Sequence, residues 1–194
     1  MVSGAEIVTG VVIPPDFTTV WNQARQQGFN SKAATVAKVI LFPQSVEALG
    51  VNSRNLLSEV WWSARHPYTS PTIDETAVDL AAGFTAATRR PWTQPIVFIH
   101  ALFKMAADVI TRAPDPFDPE GVAESIAAAN LNTMVGRVAW DGAGVPPFAA
   151  KNVCKTPLVG ARWRRKDDGT FDLVIVDTTT ATDIPNAGKM EAVV

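Results

Sequence analysis

At 194 residues the chain is long enough to bury a sizeable core, and 47% hydrophobic with 19% charged residues is the balance of an ordinary globular protein. A formal net charge of −2 speaks against a nucleic-acid or anionic-membrane binder, and no apolar run approaches the ~18 residues that span a bilayer. One cysteine, Cys154, excludes an internal disulfide, and with only His66 and His100 beside it no metal site or cofactor is expected.

The segment from Met1 to Glu6 lacks the basic, apolar and small-residue succession of a signal peptide. Glu6 to Ile13 is β-branched and apolar, which predicts a buried strand ended by Pro14-Pro15. Asp16 is the expected N-cap of a helix whose Phe17, Val20, Trp21 and Ala24 recur at helical spacing, with Gly28 as its left-handed stop. Ala34 to Phe42 reads as a second strand, Ser45 to Leu49 as a short helix, and Leu57 to Trp62 as a third strand. This alternation is the pattern of a doubly wound, three-layer α/β fold.

The middle third is helical. Thr72 and Glu75 have capping-box spacing and open a helix to about Thr88; Gln94-Pro95 opens a second, to about Arg112; Asp118-Pro119-Glu120 opens a third, to about Ala129. Their apolar faces (Phe84, Phe98, Leu102, Phe103, Val109, Ile126) require burial against something. Strands return at Thr133 to Trp140 and, after a linker at Asn152 to Pro157, at Leu158 to Arg165 and Phe171 to Asp177 around the turn signal Asp168-Gly169. The basic cluster Arg162, Arg164, Arg165 and Lys166 reads as a solvated hairpin tip. Three successive helices with too few strands to cover them suggest a truncated chain.

Ile7-Val8-Thr9-Gly10 running into Asp16-Phe17, Gln23-Ala24 and Gly28-Phe29 resembles the second lobe of type I periplasmic solute-binding proteins, the leucine/isoleucine/valine-binding receptors of ABC importers. Trp92 to Pro95, His100 to Phe103, Asn132 to Gly136 with Trp140-Asp141, and Lys155 to Gly160 with Trp163 extend the resemblance in order along nearly the whole chain. It implies two α/β lobes closing on a ligand, with residues 1–68 a lobe-two segment, 69–150 a lobe-one segment of helices and a strand, and 151–194 a return to lobe two. The first lobe is then largely missing, so the resemblance covers the family's C-terminal half.

In open α/β sheets ligands bind beyond the carboxyl ends of the strands. Those ends include Val12 and Ile13, Lys38, and Trp62 and Ser63. Lys38 alternates with Val36, Ile40 and Phe42 and is therefore expected on an apolar strand face, either as a snorkelling or edge lysine or as a ligand contact. Amino-acid receptors of the resembled family carry a carboxylate at about this position for the ligand's amino group; a lysine reverses that charge and favours an anionic ligand group. Of the adjacent Trp61 and Trp62, Trp62 is the favoured cleft wall, and Ser63 is a hydrogen-bond donor to a ligand or to its own turn. Gln94 stands where a helix N-terminus could face an anion, or simply caps the helix. His100 reads as a core histidine.

No nucleophile elbow, phosphate loop, dinucleotide fingerprint or metal cluster is present in the sequence, and Asp16, Glu47, Glu59 and Asp74 are expected at caps or polar faces rather than in catalytic pairs. The expected function is accordingly not enzymatic: a substrate-binding component for a small polar solute, amino acid or other carboxylate, handed to an ABC permease in the membrane. A ligand-sensing regulatory domain on the same fold and an inactive remnant are the alternatives. No nucleic-acid partner is expected, whereas self-association through exposed apolar helices is. The resemblance implies a periplasmic location; without an export signal a genuine N-terminus at Met1 implies the cytoplasm.

Overall fold

The computed structural model describes residues 4–70 and 73–193. The chain forms two compact units, residues 1–63 with 158–194 and residues 64–157.

The first unit is a mixed five-stranded sheet. Strand β1 (Ile7–Val11) leads into helix α1 (Pro14–Gln26), β2 (Ala33–Ala37), the short α2 (Pro43–Glu47), a single 3-10 turn at Gly50–Ser53, and β3 (Leu57–Val60). The last two strands of the chain, β8 (Val159–Arg165) and β9 (Phe171–Asp177), complete the order β1-β2-β3-β8-β9. The first three strands run parallel, whereas β8 and β9 are antiparallel to their neighbours. One sheet face buries Ala34, Val36 and Val60 in a core with Phe17 and Trp21 of α1 and Val46 of α2. Trp21 stacks on Phe17 at 5.6 Å and donates its indole N–H to Asn52 O at 2.8 Å, fixing α1 over the 3-10 turn.

Several expectations need correction here. Strand β1 is an edge strand among the described residues, not a buried one: Ile7 and Val11 are 68% and 69% exposed because they lie on the sheet face opposite the core. Helix α1 starts at Pro14, whose ring suits a helix's first turn, so Ile13 is the N-cap and Asp16 lies inside the first turn; Val20 faces outward. Gly28, at φ 77°, does supply the left-handed stop. Strand β2 ends at Ala37; the apolar run continues as a tight loop in which Val39, Ile40 and Leu41 are buried, so hydrophobicity alone overextended the strand. Arg162 is not at a solvated tip. It is buried at the base of β8, where Nε donates to Lys189 O (2.9 Å), Nη1 to Asn55 Oδ1 (2.9 Å) and Nη2 to Glu191 Oε1 (2.6 Å). Those contacts tie down the C-terminal strap, which Val193 N→Lys32 O (3.1 Å) also anchors.

The second unit contains β4 (Thr69–Ser70) paired with β5 (Glu75–Thr76), then α3 (Ala77–Thr88), α4 (Pro95–Arg112) and α5 (Pro119–Ala127), and a hairpin of β6 (Asn130–Thr133) and β7 (Gly136–Ala139). The capping box of α3 is Thr76 with Asp79, four residues later than the sequence spacing suggested: Glu75 belongs to β5, and Thr72 lies outside the described residues. Asp118 caps α5 through Glu120 N and Gly121 N as its sequence predicts. Thr133 to Trp140 is not one strand. It turns at Met134-Val135, where Gly136 takes φ 95° and a Cβ would stand 3.3 Å from Pro157. Helix α4 buries Val97, Ala101 and Val109 but leaves Leu102 and Phe103 exposed, Phe103 by 74%.

Candidate functional site

Because β1, β2 and β3 are parallel, their carboxyl ends share one edge of the first unit, and the connections leaving them form a rim. Val12, half-buried, and Ile13, exposed, leave β1 and turn into α1. Lys38 follows β2 directly. It is exposed, and it is not on a strand face: its φ of 67° puts it in the left-handed region and turns the chain into the buried 39–41 loop. Trp61 to Ser63 leave β3; Trp62 is fully enclosed and Ser63 is buried, while Trp61 is half-buried. Among the two tryptophans it is therefore Trp61 that retains accessible surface. Gln94 belongs to the second unit. It occupies the N-cap position of α4 with helical dihedrals and without a side-chain capping bond, and its side chain is fully buried.

The left-handed turn at Lys38 is held by a residue that sequence reasoning set aside. Glu59 Oε1 accepts the Lys38 backbone N–H at 2.9 Å, and Glu59 Oε2 accepts from Ser58 Oγ at 3.4 Å. Glu59 is on the sheet face opposite the core, where parallel register aligns it with the strip Ile7, Thr9, Val11, Thr35, Ala37 and Leu57. That face lies open along a groove of about 410 Å³ that reaches Met190 of the C-terminal strap. The signal in the sequence was the one that singled out Lys38: a charge alternating with apolar strand residues. The Lys38 ammonium itself forms no ion pair with any described residue. The loop behind it is fixed from β8, where Trp163 Nε1 donates to Ile40 O at 2.7 Å.

A second concavity, of about 660 Å³, runs along α4 in the second unit between Phe103, Lys104 and Leu131. His100 borders it with Nε2 3.5 Å from Glu75 Oε2 and Nδ1 buried without a hydrogen-bond partner. Among the described residues no group of His, Cys, Asp and Glu is arranged to hold a metal, and no helix is long and apolar enough to cross a membrane.

A mixed sheet whose three parallel strands end along one edge, with helices packed on it, is a doubly wound α/β module, the architecture in which ligands bind beyond the carboxyl ends of the strands. The family model described as periplasmic binding protein matches residues 1–150, and the chain belongs to that family. The fold is also that of solved ABC-transporter receptors. The leucine-binding protein LivK of Thermotoga maritima matches with a TM-score of 0.68 at 18% identity, covering 89% of this chain and 45% of that one. The solute-binding protein of an ABC transporter from R. palustris, in complex with 4-hydroxybenzoate, matches at 0.66 and 12% identity, covering 90% and 45%. The branched-chain amino acid receptor LivJ of Streptococcus pneumoniae, in complex with isoleucine, matches at 0.60 and 11%, covering 88% and 44%. The chain thus spans less than half the length of these proteins. No curated protein sequence matches it. The family is periplasmic and of the solute-binding type.

Proposed function

We propose that the chain supplies one ligand-binding rim of an ABC-importer receptor for a small solute bearing a carboxylate and lacking a free amine, and that it is not an enzyme. The observation that carries this reading is Lys38: an exposed ammonium without an ion pair among the described residues, on a left-handed turn at the carboxyl edge of the parallel strands. A charge in that position attracts a ligand carboxylate and repels a ligand ammonium. Val12, Ile13, Trp62 and Ser63 shape the same rim, with Trp62 as packing beneath it, and Gln94 is the candidate ligand contact of the second unit taken by itself. In this reading residues 1–68 and 151–194 belong to lobe two and 69–150 to lobe one, and the receptor hands its solute to a membrane permease in the periplasm. The relatives in complex with 4-hydroxybenzoate and with isoleucine supply the two probes that separate the charge patterns.

The test is calorimetric titration of the chain with 4-hydroxybenzoate and with isoleucine. The aromatic acid binds more tightly, and Lys38→Met weakens it by about 10- to 100-fold, the worth of a charge-assisted hydrogen bond. Isoleucine binding more tightly than the acid, or an acid affinity untouched by Lys38→Met, overturns the reading.

A further inference from the structure

We infer that Glu59 is the positioning residue of the rim: its carboxylate holds the backbone of Lys38 in the left-handed conformation and thereby sets where the ammonium meets an anionic ligand. This deepens the carboxylate-solute reading and rests on it.

The first observation is conformational. A non-glycine residue at φ 67° is uncommon, and such a residue persists where its surroundings over-determine it. Lysine has no side-chain oxygen with which to satisfy a local turn, so the stabilisation comes from elsewhere. Strand β2 pairs with β3 at Thr35–Leu57; three residues further on the ladder is gone, and the Lys38 N–H is taken at 2.9 Å by a side chain of β3 instead of its backbone.

The second observation is the placement of Glu59. It is a half-buried carboxylate on a sheet face whose other members near it are Thr35, Ala37 and Leu57, a poor setting for a charge without hydrogen bonds. The bond to the Lys38 amide is charge-assisted, of the class about twice as strong as neutral ones. The loop that follows is pinned independently, by burial of Val39, Ile40 and Leu41 and by Trp163 on the Ile40 carbonyl. With both flanks fixed, the ammonium has only its own side-chain torsions to explore. Glu59 thus engages the lysine through its backbone amide, at 2.9 Å. The geometry of the turn that carries the ammonium is set by a carboxylate.

The experiment compares Glu59→Gln, which keeps an acceptor oxygen at the same reach, with Glu59→Leu, which does not. Amide hydrogen exchange and the Cα chemical shift of Lys38 report the turn. Glu59→Leu speeds exchange of the Lys38 amide by about 10-fold or more and moves its Cα shift away from the left-handed value, while Glu59→Gln retains both. Titration with 4-hydroxybenzoate and with the neutral 4-hydroxybenzamide reports the role. Glu59→Leu weakens the acid by about 10-fold and leaves the amide unchanged, and Glu59→Gln restores the acid. A Lys38 amide still protected in Glu59→Leu, or acid binding unchanged or lost in equal measure with the amide, overturns the positioning role alone. A wild-type chain that binds neither probe overturns the carboxylate reading and this role together.

Discussion

The indole N–H of Trp163 reaches the carbonyl oxygen of Ile40 at 2.7 Å, joining residues 123 positions apart in the chain. Trp163 belongs to β8 and Ile40 to the loop behind Lys38, so the last hairpin of the protein fixes the conformation of its candidate rim. The bond is buried at both ends. Trp163→Phe keeps an aromatic ring but leaves the Ile40 carbonyl buried and unsatisfied, which costs about 1–3 kcal/mol. Urea denaturation measures that loss, and hydrogen exchange locates it: protection falls first at Lys38 to Leu41.

Arg162 makes the second long-range tie, from β8 to Asn55 and to the C-terminal strap through Lys189 O and Glu191. Asn55 completes it by donating Nδ2 to Ala192 O at 2.7 Å. Arg162→Met strips a buried guanidinium from three acceptors and is expected to destabilise the first unit by about 3 kcal/mol. Glu191 is 55% exposed on its side chain, so Glu191→Gln costs under about 1 kcal/mol. Equal denaturation midpoints for the two variants refute the assignment of the tie to Asn55 and the strap backbone.

These two ties mark what the sequence could and could not reveal. Helix α4 and the β8–β9 hairpin were legible because their signals are local: Gln94-Pro95 at a helix start, Asp168-Gly169 in a turn. The strand ends locate the candidate rim in the sequence, yet the apolar Val36, Ile40 and Phe42 around Lys38 point to a strand face where the structure has a left-handed turn. The alternation was accidental. Val39 to Leu41 are buried by a loop tucked beneath β8, and nothing local to residues 33–42 encodes that a tryptophan at 163 will hold it there. Arg162 was misread for the same reason, since a basic run suggests solvent unless distant acceptors are known.

Acid sensitivity should be distributed over turns rather than concentrated at the rim. The Asp79 pKa is lowered by the Thr76 hydroxyl and N–H, that of Asp141 by the Ala143 N–H and Arg137, that of Asp168 by Thr170 and that of Asp177 by Thr179. A carboxyl group whose folded pKa is depressed adds stability that is present above its unfolded pKa and is lost as pH falls through the folded value. The window therefore lies below about pH 4. Asp177→Asn should lower the melting temperature at neutral pH, and the gap to wild type should close as pH falls through that window. A gap that persists unchanged to lower pH shows that the hydrogen bonds to Thr179 do not depend on the charge.

Helix α4 leaves Ile99, Leu102, Phe103 and Ile110 exposed along its length, beside the groove lined by Lys104 and Leu131. Contiguous apolar surface of this kind drives association unless another chain segment covers it. Among the described residues of the second unit none lies over Phe103, which is 74% exposed. The chain on its own is thus expected to self-associate reversibly, with weight-average mass rising with concentration in sedimentation equilibrium. Replacing Leu102 and Phe103 together by glutamine removes the two central apolar side chains from the stripe without altering the buried side of α4, formed by Val97, Ala101 and Val109. The double variant should remain folded by far-ultraviolet circular dichroism and sediment as a monomer over the same range. A wild-type chain that is monomeric throughout, or a double variant that associates as strongly as wild type, shows that the α4 face is not the surface responsible.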